Sequence, residues 1–150
     1  MHSLFLLNYS HSESFDMIYI DPPYNTKQKW MYNNKYVDEN DTWRHSKWVS
    51  FMHHRLLLAK NLLKEDGILV CAIDHNEQEV LGLLFEEIFP NYEKTCVTII
   101  HNPGGIQGDN FSYTHEYAYF LIPKGKKLIS KITRDEANEV PLRDWGGEDS

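Results

Sequence analysis

Hydrophobic and polar positions change period several times along the chain. In "FDMIYI" (residues 15–20) β-branched and aromatic residues crowd a short run, the composition of a buried strand. Asp21 then meets Pro22 and Pro23, which cannot donate to a strand ladder, so Asp21 is expected at the C-terminal end of that strand with a stiff turn behind it. The following "NTKQKWMYNNKYVDENDTWRHS" has no clean period and reads as a long structured loop, a kind that tends to carry function. From Ser46, residues Trp48, Phe51, Met52, Leu56, Ala59, Leu62 and Leu63 recur at helical spacing, and Gly67 after "LLKED" is expected as a left-handed stop. "GILVCAI" is a continuous apolar run, as in a strand covered on both faces. Asp74 or Asn76 then caps a second helix with a buried stripe of Val80, Leu83, Leu84 and Ile88, closed by Phe89 and Pro90. "TCVTII" is a third strand, "HNPGGIQGDNFSYT" a glycine-rich loop, and "EYAYFLI" a fourth strand stopped by Pro123.

Strand, helix, strand, helix, strand, loop, strand predicts an α/β fold holding part of a doubly wound sheet. Its last two strands, joined without a helix, form a terminal antiparallel pair. In such sheets ligands bind at the carboxyl ends of the strands, which is where Asp21 falls. Beyond Ser130 the pattern dissolves. The expected organisation is residues 1–130 as the ordered unit and 131–150 as the start of a further region or linker.

Composition narrows the class. Hydrophobic residues make up 41% and aromatics 13%, no apolar run approaches bilayer length, and "MHSLFLLNYSHS" lacks a basic segment before its apolar patch, so it reads as a helix or entry loop of a cytoplasmic protein. Cys71 and Cys96 lie in apolar stretches and are expected to be reduced and buried. The eight histidines show no zinc-type spacing, so no metal is expected. A net charge of −7 is unusual for a nucleic-acid partner, but Lys124, Lys126, Lys127, Lys131 and Arg134 run without an acid among them. Lys124, Lys126 and Lys127 are therefore candidate phosphate contacts, against the simpler reading of a solvated face.

"DPPY" at 21–24 has roughly a one in a thousand chance of arising in a chain of this length, at about 5% usage per residue type. "DMIYIDPPYNT", "LLLAKNLLKEDGILVCAIDHNE", "EEIFPNYEKTCVTI" and "HEYAYFLIPKG" together resemble, in the right order and over about residues 15–126, the amino-methylating DNA methyltransferases whose catalytic motif precedes the cofactor motif. The likeness is greatest to the modification subunits of type III restriction systems. It implies a Rossmann-like methyltransferase sheet, S-adenosyl-L-methionine as cofactor, duplex DNA as substrate, and a restriction subunit or a second copy of the chain as partner. The family's catalytic tetrad falls on Asp21, Pro22, Pro23 and Tyr24, with Asp21 and Tyr24 also facing the cofactor.

The resemblance implies a chemistry that these residue types suit. An exocyclic amine is a poor nucleophile because its lone pair is delocalised into the ring. The Asp21 carboxylate and the Pro22 carbonyl each accept one amine hydrogen and so localise that pair, while the two prolines keep the acceptors rigid. Tyr24 offers a stacking face to a base swung out of the duplex, Phe111, Tyr113 or His115 supplies the opposite wall, and Asn25 is a further residue of the target-base pocket. The glycine-rich cofactor turn and the ribose-binding acid of such enzymes have no counterpart in the chain. "PGGIQGD" follows the third strand with no helix after it. The resemblance therefore implies that residues 1–130 are the catalytic-motif half of a DNA adenine N6-methyltransferase domain, inactive by itself, and residues 131–150 the start of a truncated target-recognition or linker region. The rivals are N4-cytosine methylation and a non-catalytic remnant that serves as an interaction module.

Overall fold

A computed structural model describes residues 2–26, 30–32, 35–38, 40–108 and 110–127. The chain begins with α1 (His2–Ser10), which docks on the later α2 (Arg44–Leu62) through the Asn8 amide, a donor to the Leu58 carbonyl at 3.0 Å. β1 (Phe15–Ile20) follows, then a hairpin of β2 (Trp30–Tyr32) and β3 (Lys35–Val37), then α2. Next come β4 (Leu63–Ile73), α3 (Gln78–Ile88) and β5 (Tyr92–Ile100). A small hairpin, β6 (Ile106–Gln107) and β7 (Ser112–Tyr113), leads into β8 (His115–Pro123).

The main sheet has the order β1-β4-β8-β5. β1 and β4 are parallel, as a strand–helix–strand crossover requires. β8 runs antiparallel to β4 on one side and to β5 on the other, pairing Ile73 with Tyr117 and Ile100 with His115. The antiparallel β5–β8 pair is thus as expected, but β8 is wedged between the two strands that α3 connects. The α/β class with a partial doubly wound sheet stands, and more of the ladder is antiparallel than the order of elements along the chain suggests.

One face of the sheet holds the core. Trp48, Met52, Leu56 and Ala59 from α2 and Leu81, Leu84, Phe85 and Ile88 from α3 close over Leu69, Cys71 and Ile73 of β4 and Tyr119 and Leu121 of β8. The alternation of Leu69, Cys71 and Ile73 places all three on this face. The opposite face leaves Met17, Tyr19, Val97 and Ile99 exposed. β1 and β5 are the edge strands, so among the described residues the outer edge of β1 has no neighbour.

Several local expectations are corrected. Gly67 does not end the helix in a left-handed conformation: α2 stops at Leu62 and Gly67 lies inside β4, beside the register shift between Phe15 and Met17. Its lack of a side chain serves close approach, since a Cβ there would sit 2.9 Å from the Phe15 carbonyl oxygen. Neither Asp74 nor Asn76 caps α3. Glu77 is the N-cap residue, and Asp74 instead accepts the Asn76 backbone amide at 2.9 Å in an Asx turn. The buried stripe of α3 is Leu81, Leu84, Phe85 and Ile88, an i, i+3, i+4, i+7 set that leaves Leu83 on the solvent side. Cys71 is buried, but Cys96 is exposed on the edge strand β5. The glycine-rich loop contains the β6–β7 hairpin, and residues 131–150, including Lys131 and Arg134, lie outside the described residues.

Candidate active site

The carboxyl ends of β1, β4 and β5 and the start of β8 meet at one edge of the sheet. Ile20 pairs with Cys71, Ile73 with Tyr117 and Ile100 with His115, which sets Asp21, Asp74, His101 and Glu116 along the same rim. The Asp21–Asn25 turn crosses it. Asp21 is exposed, Pro22 buried, Pro23 exposed and Tyr24 half-buried.

Three side chains from other elements hold this turn. The indole Nε1 of fully buried Trp48 donates to the Pro23 carbonyl at 2.6 Å. The Tyr24 hydroxyl donates to Glu116 Oε2 at 3.4 Å, across the opening of β8. Asn25, buried and left-handed at φ 56°, donates its amide to Glu77 Oε1. Arg44, near the start of α2, reaches back to the carbonyls of Thr26 and, at 3.1 Å, Asp38, fastening the end of the turn to the β2–β3 segment.

The electrostatics of the rim are acidic. Burial pushes the Tyr24 hydroxyl well above the ordinary tyrosine range, and the carboxylates of Asp21 and Glu116 add to the shift, so the phenol stays protonated and acts as a donor. The Cys71 thiol, beside Asp21, is pushed up to about 12, chiefly by burial and then by Asp21's charge, which rules it out as a nucleophile at neutral pH. His101 Nε2 lies 3.9 Å from Glu116 Oε1. Among the described residues no three His, Cys, Asp or Glu side chains form a group able to hold a metal ion.

Of the residues expected at the site, Asp21, Pro22, Pro23, Tyr24, Asn25 and His115 come together on this rim. His115 is half-buried, its Nε2 3.1 Å from the Tyr117 hydroxyl. Tyr113 of β7 stacks on His75, centroids 4.3 Å apart and planes 3° from parallel, beside Asp74 of the rim. Phe111 projects into solvent from the β6–β7 hairpin. Lys124, Lys126 and Lys127 are not brought to the site. β8 runs antiparallel, Pro123 pairs with Tyr92 at the opposite edge of the sheet, and Lys124 donates to the Pro90 carbonyl there at 2.9 Å. Nine strand residues separate them from the rim, roughly 25–30 Å of extended chain. Glu77, Glu116 and Trp48 were not expected at the site. Glu116 had a signal in its place as the polar first residue of "EYAYFLI"; Glu77 and Trp48 had none beyond the helix pattern.

Comparison with protein families matches residues 15–149 to DNA methylase. The chain belongs to the DNA methylase family. Among curated proteins it is 37% identical over 162 residues to the EcoPI Mod subunit, a type III restriction-modification enzyme of Escherichia phage P1, covering 91% of this chain and 25% of that one. It is 33% identical over 131 residues to the type II methyltransferase M.KpnI of Klebsiella pneumoniae, covering 85% of this chain and 31% of that one. The methylase chain thus spans about a quarter to a third of the length of these relatives. Among solved structures it superposes on M1.HpyAVI, crystallised as a SAM complex, with a TM-score of 0.56 and 11% identity, over 90% of this chain and 55% of that one. On TTHA0409 of Thermus thermophilus, solved with S-adenosyl-L-methionine, the TM-score is 0.57 at 11% identity, over 86% and 54%. These likenesses establish a Rossmann-like methyltransferase fold for the methylase chain.

Proposed function

We propose that the chain carries the base-methylating half of a DNA adenine N6-methyltransferase of the restriction-modification type, with duplex DNA as substrate and a restriction subunit as partner, acting in the cytoplasm. The observation that carries the reading is the Asp21–Tyr24 turn. Asp21 is exposed at the carboxyl rim of the sheet, while Pro23, Tyr24 and Asn25 are each fastened by a side chain from a different element. An exposed acceptor on a braced turn suits an amine whose two hydrogens must be taken up in fixed directions.

The carboxylates of Asp21 and Glu116, which both act on Tyr24, are a donor set suited to the sulfonium end of S-adenosyl-L-methionine and would face its positive charge. When bound, that group supplies an electrophilic methyl. The chain's own part is to hold the amine. The Asp21 carboxylate accepts one hydrogen of the target nitrogen and the Pro22 carbonyl the other. The Tyr24 ring, kept in orientation by its hydroxyl bond to Glu116, stacks on the base.

The test is methyl transfer from labelled S-adenosyl-L-methionine to duplex DNA, with the methylated nucleoside identified by mass. N6-methyladenine is the expected product. N4-methylcytosine would move the target to the other exocyclic amine, and absence of transfer by the full reading frame would leave a non-catalytic remnant. Asp21→Ala should lower turnover about 10²- to 10³-fold, the typical worth of one such contact, with DNA affinity within a few fold. Retention of more than about a tenth of wild-type turnover would remove Asp21 from this role.

A further inference from the structure

Glu77 sits at the start of α3 with no exposure to solvent. Its Oε1 takes both the Asn25 amide and His45 Nδ1, the latter at 2.5 Å, while its Oε2 and the Asn25 Oδ1 are buried with no hydrogen-bond partner among the described residues. Burial raises the Glu77 pKa, the donors Asn25 and His45 oppose this, and the charge of Asp74 adds to it. A carboxylate placed there works against stability, so its presence needs another reason.

The geometry supplies one. Asn25 follows Tyr24 directly and is left-handed at φ 56°, a conformation that asparagine tolerates better than most residues. Its side chain is buried against Glu77 instead of lining an open pocket. Trp48 holds the turn at Pro23, one residue before Tyr24, and Glu77 holds it one residue after. We propose that Glu77 is a positioning residue for the base-methylating turn: through Asn25 it sets the backbone that presents Tyr24 and the Asp21 and Pro22 acceptors, without touching substrate. His45 shares the same oxygen from α2, so both helices that cover the sheet brace one carboxylate. The proposal deepens the methyltransferase reading and rests on it.

The test has two arms in the full reading frame. In the first, hydrogen exchange of the backbone amides and of the Trp48 indole is compared in wild type, Glu77→Ala, Glu77→Gln and Asn25→Gly. Glu77→Ala and Asn25→Gly should speed exchange of the Trp48 indole N–H, which is bonded to the Pro23 carbonyl of the turn, at least about tenfold while the amides of β4 and β8 keep their protection. Glu77→Gln, which retains an acceptor for Asn25, should stay near wild type. In the second arm, each of the first two variants should lower kcat about 10- to 100-fold, the scale of a misplacement near 1 Å, with KM for DNA and cofactor within about threefold. The double variant should be no worse than either single one, as for two residues acting as a unit. Losses that multiply, unchanged exchange of the Trp48 indole, or lost protection throughout β4 would each overturn the proposal. A wild type without methyl transfer would sink the methyltransferase reading, and the exchange arm would still decide the Glu77–Asn25 anchor.

Discussion

Trp48→Phe is the perturbation that most directly measures how tightly the catalytic turn is tied to the core. Trp48 has no exposed surface, and its indole donates to the Pro23 carbonyl at 2.6 Å. Phenylalanine keeps an aromatic ring but removes the donor, leaving a carbonyl without its partner at a cost of about 1–3 kcal/mol. It also removes part of the ring volume from the buried core cluster that Trp48 shares with Val37, Met52 and Leu56, and incomplete collapse adds about 1–2 kcal/mol. The sum, about 2–5 kcal/mol, is a large share of the roughly 5–15 kcal/mol by which domains are stable. At about 2–4 °C per kcal/mol for a chain of this size, the melting midpoint should fall by about 4–20 °C in calorimetry. Trp43→Phe is the control, because Trp43 is 69% exposed and its replacement should stay within about 0.5 kcal/mol. If Trp48→Phe melts within about 2 °C of wild type, below the smallest shift the argument allows, the indole is not fastening Pro23 and the account of a braced turn fails.

Two further predictions follow from titrating groups. Native protein treated with iodoacetamide at about pH 8 should be alkylated at exposed Cys96 and not at Cys71, whose thiol is buried and pushed up to about 12; peptide mass mapping checks this, and rapid labelling of Cys71 would contradict the packing of β4. The raised pKa of Glu77 means that its contribution to stability is full below the ordinary glutamate value, where it is protonated in both states, and is lost as pH rises through the folded value. Glu77→Gln, uncharged at every pH, should therefore gain in melting temperature relative to wild type between about pH 4 and pH 8, and a difference that is flat or falls over that range would show that burial does not dominate at Glu77.

What could be read from the chain alone is what local chemistry decides. Prolines at 22 and 23 must end a strand wherever that strand lies, so the turn and the place of Asp21 at a strand's carboxyl end were legible, as was the apolar run of β4. The spacing of Trp48, Met52, Leu56, Ala59 and Leu62 identified α2 and its buried face without reference to any neighbour. The elements that went astray were those whose fate depends on distant partners. β8 lies between β4 and β5 because of pairings between residues far apart in sequence, and its antiparallel direction carries Lys124, Lys126 and Lys127 to the edge away from Asp21. Gly67 looked like a helix stop, but the nearness of the Phe15 carbonyl, a contact made only when β1 pairs with β4, is what needs its missing side chain. Glu77 in "DHNEQE" is indistinguishable by composition from the solvated Glu79 two positions on. Its burial against Asn25 and His45 was decided only when α2, α3 and the turn closed on one another, because burial belongs to the packed assembly of elements and not to any one stretch of chain.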